Sequence, residues 1–485
     1  MSERILVIDE GTTSTRAMLL TPSGRCLAAE QRELTQHYPR PGRVEHDAAE
    51  IWRKTLSVAG AMVAQAGGPS KVAAIGIANQ RETIVFWDRT TGAPLAPAIV
   101  WQDRRTAGTC DALRDAGHEP MVQARTGLLL DPYFSASKIG WAMREWPALR
   151  DAGDRLAIGT IESWLVWKLT GAHVTDATNA SRTALMALDG GWDDELIALF
   201  GVPRAALPEI VDSVGVVGST RLFGDAIPVA GMAGDQQAAA IGQACLAPGE
   251  SKATFGTGAF VITHAGATPP ASRHRLLATV AWQIGGERHY ALEGSLFVAG
   301  SLLKWLRDSV GLIDDVAESA VLARSVADNG GVYIVPALSG LGAPYWQPGA
   351  QGAISGLSFS AGKAHIVRAA LEAMAHQTHD LKTAFAADGH DWATLRVDGG
   401  MVNNDWLAQD LADMLDLPVE RPHFAETTAL GAGMLAAVGC GMFADLAAAT
   451  AMRGDIGHFA PAIAPEARAR RLAGWATAVR HVLAG

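Results

Sequence analysis

Residues 4–16 read RILVIDEGTTSTR: a run of β-formers ending on a lone acid, Asp9, followed by a turn through Gly11, Thr12, Thr13 and Ser14 to Arg16. An acid at a strand end holds a hydrated cation, and a turn of Gly, Thr and Ser offers amides and hydroxyls to a phosphate. The same letters also suit an ordinary surface hairpin whose turn uses Asp and Gly for backbone reasons. The choice rests on whether matching pieces occur elsewhere.

One such piece lies near the middle. AIPVAGMAGDQQAAAIGQA (226–244) reads as a strand, a Gly-rich turn and a helix starting near Asp235, and ATFGTGAFVITHAG (253–266) as strand, Gly/Thr turn, strand. A hairpin with a Gly/Thr turn thus begins each half, which predicts two related domains facing one another, divided near Ala247. Gly256, Thr257 and Gly258 in the second turn and Thr12, Thr13, Ser14 and Arg16 in the first would then grip a polyphosphate from two sides.

The rest of the chain fits an alternating α/β architecture. Strand-like runs at 5–9, 72–78 and 83–87 alternate with helical apolar spacing around 49–64 and 137–146, a helix from about Ala364, and an Ala/Arg-rich amphipathic helix from Pro465. The chain of 485 residues is too long for one ordinary core. With 49% apolar and 19% charged residues it is globular, and its net charge of −10 argues against nucleic acid as partner. Four scattered cysteines (Cys26, Cys110, Cys245, Cys440) point to buried, reduced thiols. Absence of an apolar run of spanning length or a leader-like start predicts no membrane insertion and a cytoplasmic location.

The phosphate loop GxxxxGK[ST] is absent, and the loose dinucleotide match at Gly431, Gly433 and Ala436 sits inside an Ala-rich helical run, where it reads as close helix packing. Asp235 is either a helix N-cap or a general base for a hydroxyl, kept ionised by the helix N-terminus. Asn79, Gln80, Arg81 and Glu82 between apolar strands are either a solvated turn or a polyol reader, with Arg81 donating and Glu82 accepting. Trp101 and Tyr133 are either core or apolar walls with polar handles.

Taken in order, DEGTTSTR (9–16), NQRET (79–83), WQDRR (101–105), DPYFS (131–135), TNASRT (178–183), GDQQAA (234–239), FGTGAF (255–260), GLGAPYW (340–346), VDGGMVNN (397–404) and TALGAG (428–433) resemble the FGGY carbohydrate kinases. The resemblance runs from residue 4 to 476, with signatures at Tyr133–Glu145, where Ala142 replaces a larger aliphatic residue, and Gly352–Glu372. It implies an α/β fold of two actin-like (ribonuclease H-like) domains, residues 1–247 and 248–485, with a catalytic cleft between them. It also implies a homodimer or homotetramer.

The resemblance further implies phosphorylation of a terminal hydroxyl of glycerol by ATP with Mg2+, giving sn-glycerol 3-phosphate. Arg81, Glu82, Tyr133, Asp235 and Gln236 would hydrogen-bond the polyol, Trp101 and Phe260 would pack on its carbons, and Asp235 would take the hydroxyl proton. Thr12, Thr13, Ser14, Arg16 and Thr257 would contact the phosphates, Gly300, Lys304, Gly400 and Asn404 the nucleoside side, and Asp9 the magnesium through water. Erythritol, threitol, xylulose or ribulose is the alternative acceptor, and a noncatalytic actin-like nucleotide binder the alternative class.

Departures from the family pattern carry expectations too. Glu10 replaces a glutamine and is expected to add negative charge near the phosphates; Lys304 replaces a glutamine that contacts nucleotide. The segment 219–226, STRLFGDA, lacks the loop that binds fructose 1,6-bisphosphate in some bacterial members, so no inhibition there is expected. The segment 465–475 likewise departs from the one that binds a phosphotransferase regulator in enteric members.

Overall fold

The computed structural model describes residues 4–347 and 349–484; the outermost residues of the two expected domains lie outside them. Two large mixed sheets dominate. The first is built from β1 (Arg4–Glu10), β2 (Ser14–Leu20), β3 (Cys26–Glu33), β4 (Val72–Asn79), β5 (Val214–Thr220) and β6 (Ile227–Gly234), in the order β5–β6–β4–β1–β2–β3. Strands β1, β2 and β3 form an antiparallel meander, β1 runs parallel to β4 and β4 to β6, and β5 is antiparallel at the edge.

The second sheet repeats the plan. Its strands β7 (Glu250–Phe255), β8 (Ala259–Gly266), β9 (Leu277–Ile284), β10 (Glu287–Leu296), β11 (Thr394–Asp398), β12 (Val419–Pro422) and β13 (Ile456–Phe459) lie in the order β9–β10–β8–β7–β11–β12–β13. Here β7, β8 and β10 are antiparallel, β7–β11 and β11–β12 are parallel, and β13 is the antiparallel edge. The opening hairpin and its counterpart at 250–266 therefore hold equivalent places, each flanked by two parallel strands and an antiparallel edge on one side and antiparallel strands on the other; the second sheet carries one strand more, and β10 rather than the intervening β9 lies beside β8.

Helices cover the sheets as the apolar spacing predicts. They include α1 (Ala48–Gln65), α2 (Ser135–Glu145), α3 (Asp235–Gly242), α4 (Gly300–Asp308), α5 (Lys363–Ala387), α6 (Asp405–Leu415), α7 (Thr427–Gly439) and α8 (Pro465–Ala484). Asp47 starts α1 by accepting the Ala49 N–H at 2.8 Å. Helix α7 lies against α3, and a Cβ at Gly431 would stand 1.8 Å from the Ala238 carbonyl oxygen, so only glycine permits that approach. The loose dinucleotide match is thus close packing, as read.

Two expectations need correction. No Gly-rich turn separates β6 from α3: the strand ends at Gly234 and the helix begins at Asp235. Of the four free cysteines only Cys110 and Cys245 are buried; Cys26 and Cys440 are half-buried because they sit at element ends near the surface. Among the described residues, no helix is long and apolar enough to cross a membrane.

Candidate active site

Both hairpin turns close on themselves and leave donors outward. In the first, the Gly11 N–H donates to Ser14 O (3.0 Å), leaving Thr13 exposed and Thr12 and Ser14 half-buried. In the second, the Gly256 N–H donates to Gly258 O (2.9 Å), with Thr257 exposed. The first residues of α4 dock on that second turn: Ala299 and Gly300 donate to Thr257 O and Gly256 O at 2.9 Å, and a Cβ at Gly300 would come within 2.6 Å of Gly256 O. Gly399, at φ 92, lies against the Phe255 backbone, which brings the start of the 400–404 segment beside the second turn; Gly300 is buried there, and Gly400 is exposed.

Asn404 spends its side-chain oxygen capping α6, accepting from Trp406 (3.0 Å) and Leu407 (3.4 Å), which leaves its amide N–H2 for a ligand. Lys304 is exposed on α4 and has no ion pair among the described residues.

Asp9 stands at the end of β1, opposite Arg16 on β2, whose Nη2 donates to Asp9 Oδ2 at 2.7 Å and reaches Glu426 Oε2 at 2.6 Å. Burial pushes the Asp9 carboxyl upward, and Arg16 opposes the shift. Among the described residues no three His, Cys, Asp or Glu gather at metal-ligand spacing. A single carboxylate fits a hard cation that keeps several waters and draws further oxygens from phosphate.

Glu10 faces the other way, because successive side chains of a strand point to opposite faces. It is fully buried against α1, accepts from Thr55 Oγ1 at 2.9 Å, and burial pushes its carboxyl up to about 8. The expectation that Glu10 charges the phosphate site is therefore corrected: the side chain points into the core under the hairpin, and at neutral pH it is mostly protonated.

The acceptor candidates converge on Arg81. Its segment is no solvated turn: Arg81 and Glu82 are 3% and 1% exposed. The guanidinium reaches Asp235 Oδ1 (Nε, 3.3 Å), Glu293 Oε2 (Nη1, 2.5 Å) and the Tyr133 hydroxyl (Nη2, 3.4 Å). Tyr133 lies edge-on to Trp101 with centroids 5.5 Å apart, and Trp101 Nε1 donates to Thr12 Oγ1 at 2.9 Å. The aromatic wall is thereby tied to the phosphate hairpin. Phe260 is half-buried on β8, beside the second turn.

Asp235 is the first residue of α3 and not its N-cap, which is Gly234; its Oδ1 accepts the Gln236 N–H at 2.7 Å. Burial pushes its carboxyl above the ordinary value, while Arg81 and Lys252 pull it down. Desolvation outweighs these two cations and the Gln236 N–H, which improves the carboxylate as a proton acceptor. Gln236 is held through its Oε1 by the Lys252 ammonium, which also donates to Thr254 Oγ1 at 2.7 Å.

Three charged residues beyond the sequence-predicted set belong to this cluster, Arg182, Lys252 and Glu293, and a fourth, Glu426, pairs with Arg16 beside Asp9. Arg182 lies in TNASRT, the one signal that pointed to it; the others reach the site across sequence distances that no local pattern encodes.

The model of the FGGY family of carbohydrate kinases, N-terminal domain, matches residues 4–242, and that of its C-terminal domain matches 251–440. The chain is 52% identical to a glycerol kinase of Rhodospirillum centenum and to one of Methylobacterium nodulans, each over 100% of this chain and 99% of the relative. The crystal structure of Plasmodium falciparum glycerol kinase with ADP is similar at 33% identity and a TM-score of 0.94, over 99% of this chain and 98% of that one.

Proposed function

This chain belongs to the FGGY family of carbohydrate kinases, and we propose that it transfers the terminal phosphoryl group of ATP to a terminal hydroxyl of glycerol, giving sn-glycerol 3-phosphate and ADP. The observation that carries the reading is the convergence on one buried guanidinium, Arg81, of Asp235, Tyr133 and Glu293, next to the first hairpin turn, which Gln80 and Trp101 touch at Gly11 and Thr12. A filament subunit or sensor has no use for that acceptor set.

Arg81, Glu82, Tyr133 and Gln236 bind the polyol hydroxyls, and Trp101 and Phe260 cover its carbon chain. Asp235 accepts the proton of the attacking hydroxyl as its oxygen bonds to the γ-phosphorus and the bond to the β,γ-bridging oxygen breaks, releasing ADP. The turn groups Thr12, Thr13, Ser14, Arg16 and Thr257 hold and neutralise the phosphates; phosphoryl transfer depends mainly on such positioning. Gly300, Gly400 and Asn404 form the nucleoside side, with exposed Lys304 at its margin. Asp9 would hold magnesium, which when bound to ATP neutralises phosphate charge. Residues 1–247 would carry the acceptor side and 248–485 the nucleotide side.

The test is a steady-state panel with ATP and Mg2+ over glycerol, erythritol, threitol, xylulose and ribulose. The highest kcat/KM is expected on glycerol. A clear preference for a longer polyol or a ketose would overturn the substrate assignment, and no turnover on any would overturn the kinase reading.

A further inference from the structure

Behind the acceptor residues lies a buried ring of charge. Glu293, on β10 of the second sheet, and Arg182, in the first half, are both 0% exposed. Glu293 accepts from Arg81 Nη1 at 2.5 Å through one oxygen and from Arg182 Nη2 at 3.1 Å through the other. Arg182 Nε then donates to Glu82 Oε1 at 2.6 Å, and its guanidinium lies over the rings of Tyr133 and Phe134 at 5.4 and 5.2 Å. Two cations and two anions alternate and cancel.

Taking four charges out of water is expensive unless each keeps its partners, and a well-packed apolar set of the same volume is often at least as stable. Two further observations point to orientation as the reason for the ring. Glu82 stands at φ 61, a left-handed backbone unusual for a side chain of its size, with its carbonyl oxygen held by Ser135 Oγ at 2.9 Å. The carboxylate of Glu293 also comes from the opposite half of the chain from the three groups it organises.

We propose that Glu293 and Arg182 are positioning residues: Glu293 sets the Arg81 guanidinium and, through Arg182, the Glu82 carboxylate. The polyol-reading pair of the first half is thereby oriented by an acid of the second half, and neither Glu293 nor Arg182 touches the polyol. This rests on Arg81 and Glu82 being the acceptor contacts proposed above.

The experiment uses the full-length enzyme and whichever acceptor of the panel the wild type turns over fastest, so a wrong substrate assignment appears in the wild type and not in the variants. Glu293→Gln, Arg182→Lys and the double variant Glu293→Gln/Arg182→Met are compared for acceptor KM, ATP KM, kcat and thermal midpoint. The expected result is an acceptor KM raised about tenfold or more, roughly the loss of one charge-assisted contact, with ATP KM within about twofold. The double variant removes one charge of each sign; it is expected to recover thermal stability while acceptor KM stays high. Where Glu293→Gln alone does not fold, the double variant carries the test. Acceptor KM within twofold of wild type, acceptor and ATP KM rising together, or a double variant that recovers both stability and acceptor KM would each overturn the proposal.

Discussion

Glu162 offers a quantitative check on the polar floor beneath the Arg81 segment. It is 0% exposed, with Oε1 accepting from Thr160 Oγ1 (2.5 Å) and Thr175 Oγ1 (2.6 Å) and Oε2 from Asn79 Nδ2 (3.0 Å). Asn79, at the end of β4, carries the chain into Gln80 and Arg81. Burial, reinforced by Asp176, pushes the Glu162 carboxyl from 4.5 up to about 7. An acid raised in the folded state binds its proton more tightly there than when unfolded. Stability is therefore greatest below the unfolded value near 4.5 and is lost as pH climbs to about 7. At about 1.4 kcal/mol per pH unit, the full window amounts to about 3.5 kcal/mol. Glu162→Gln removes the titration. Urea unfolding of both proteins from pH 5 to pH 8 is therefore expected to show wild-type stability falling relative to the variant by about 2.5 kcal/mol, the rest being lost below pH 5, and levelling off above the folded value. Taking the difference cancels other titrating groups. A difference that stays flat across this range would mean that Glu162 is ionised throughout and that burial does not raise its carboxyl.

Glu10→Gln is expected to leave ATP KM within about threefold of wild type, because the side chain faces the core under α1 and makes no part of the phosphate surface; steady-state kinetics at saturating glycerol reads it. Arg81→Ala is expected to raise acceptor KM by about 10- to 100-fold, equivalent to about 1.5–3 kcal/mol for a charge-assisted contact, with a much smaller change for ATP. Gly431→Ala forces a methyl against the Ala238 carbonyl oxygen and is expected to destabilise the protein by about 1–3 kcal/mol, seen as a lowered thermal midpoint.

Much of this architecture was legible in local pattern. The two hairpins, the helices near 49–64, 137–146, 364 onward and 465 onward, and the helix-packing role of Gly431 all follow from periodicity, turn chemistry and glycine placement. The Arg81 segment was harder. Four polar residues between strands look like a solvated turn until their partners are known, and those partners, Asp235, Glu293 and Arg182, lie about 100 to 210 residues away. Lys252 and Glu293 sit within strands, where a lone charge carries no local mark of burial. Glu10 was misread although the information was present: in a strand, a neighbour of the site-facing Asp9 must face away. The pull of desolvation on Asp235 also depends on tertiary burial, which no helix-start rule supplies.

Asp235→Asn removes the proton acceptor while keeping size and hydrogen-bonding reach, so its turnover reads the role of Asp235 as general base. With glycerol, ATP and Mg2+, kcat is expected to fall by about 10²–10⁴, the loss typical of a general base, with glycerol and ATP still bound at near wild-type affinity by calorimetry. A variant that turns over near the wild-type rate would contradict that role.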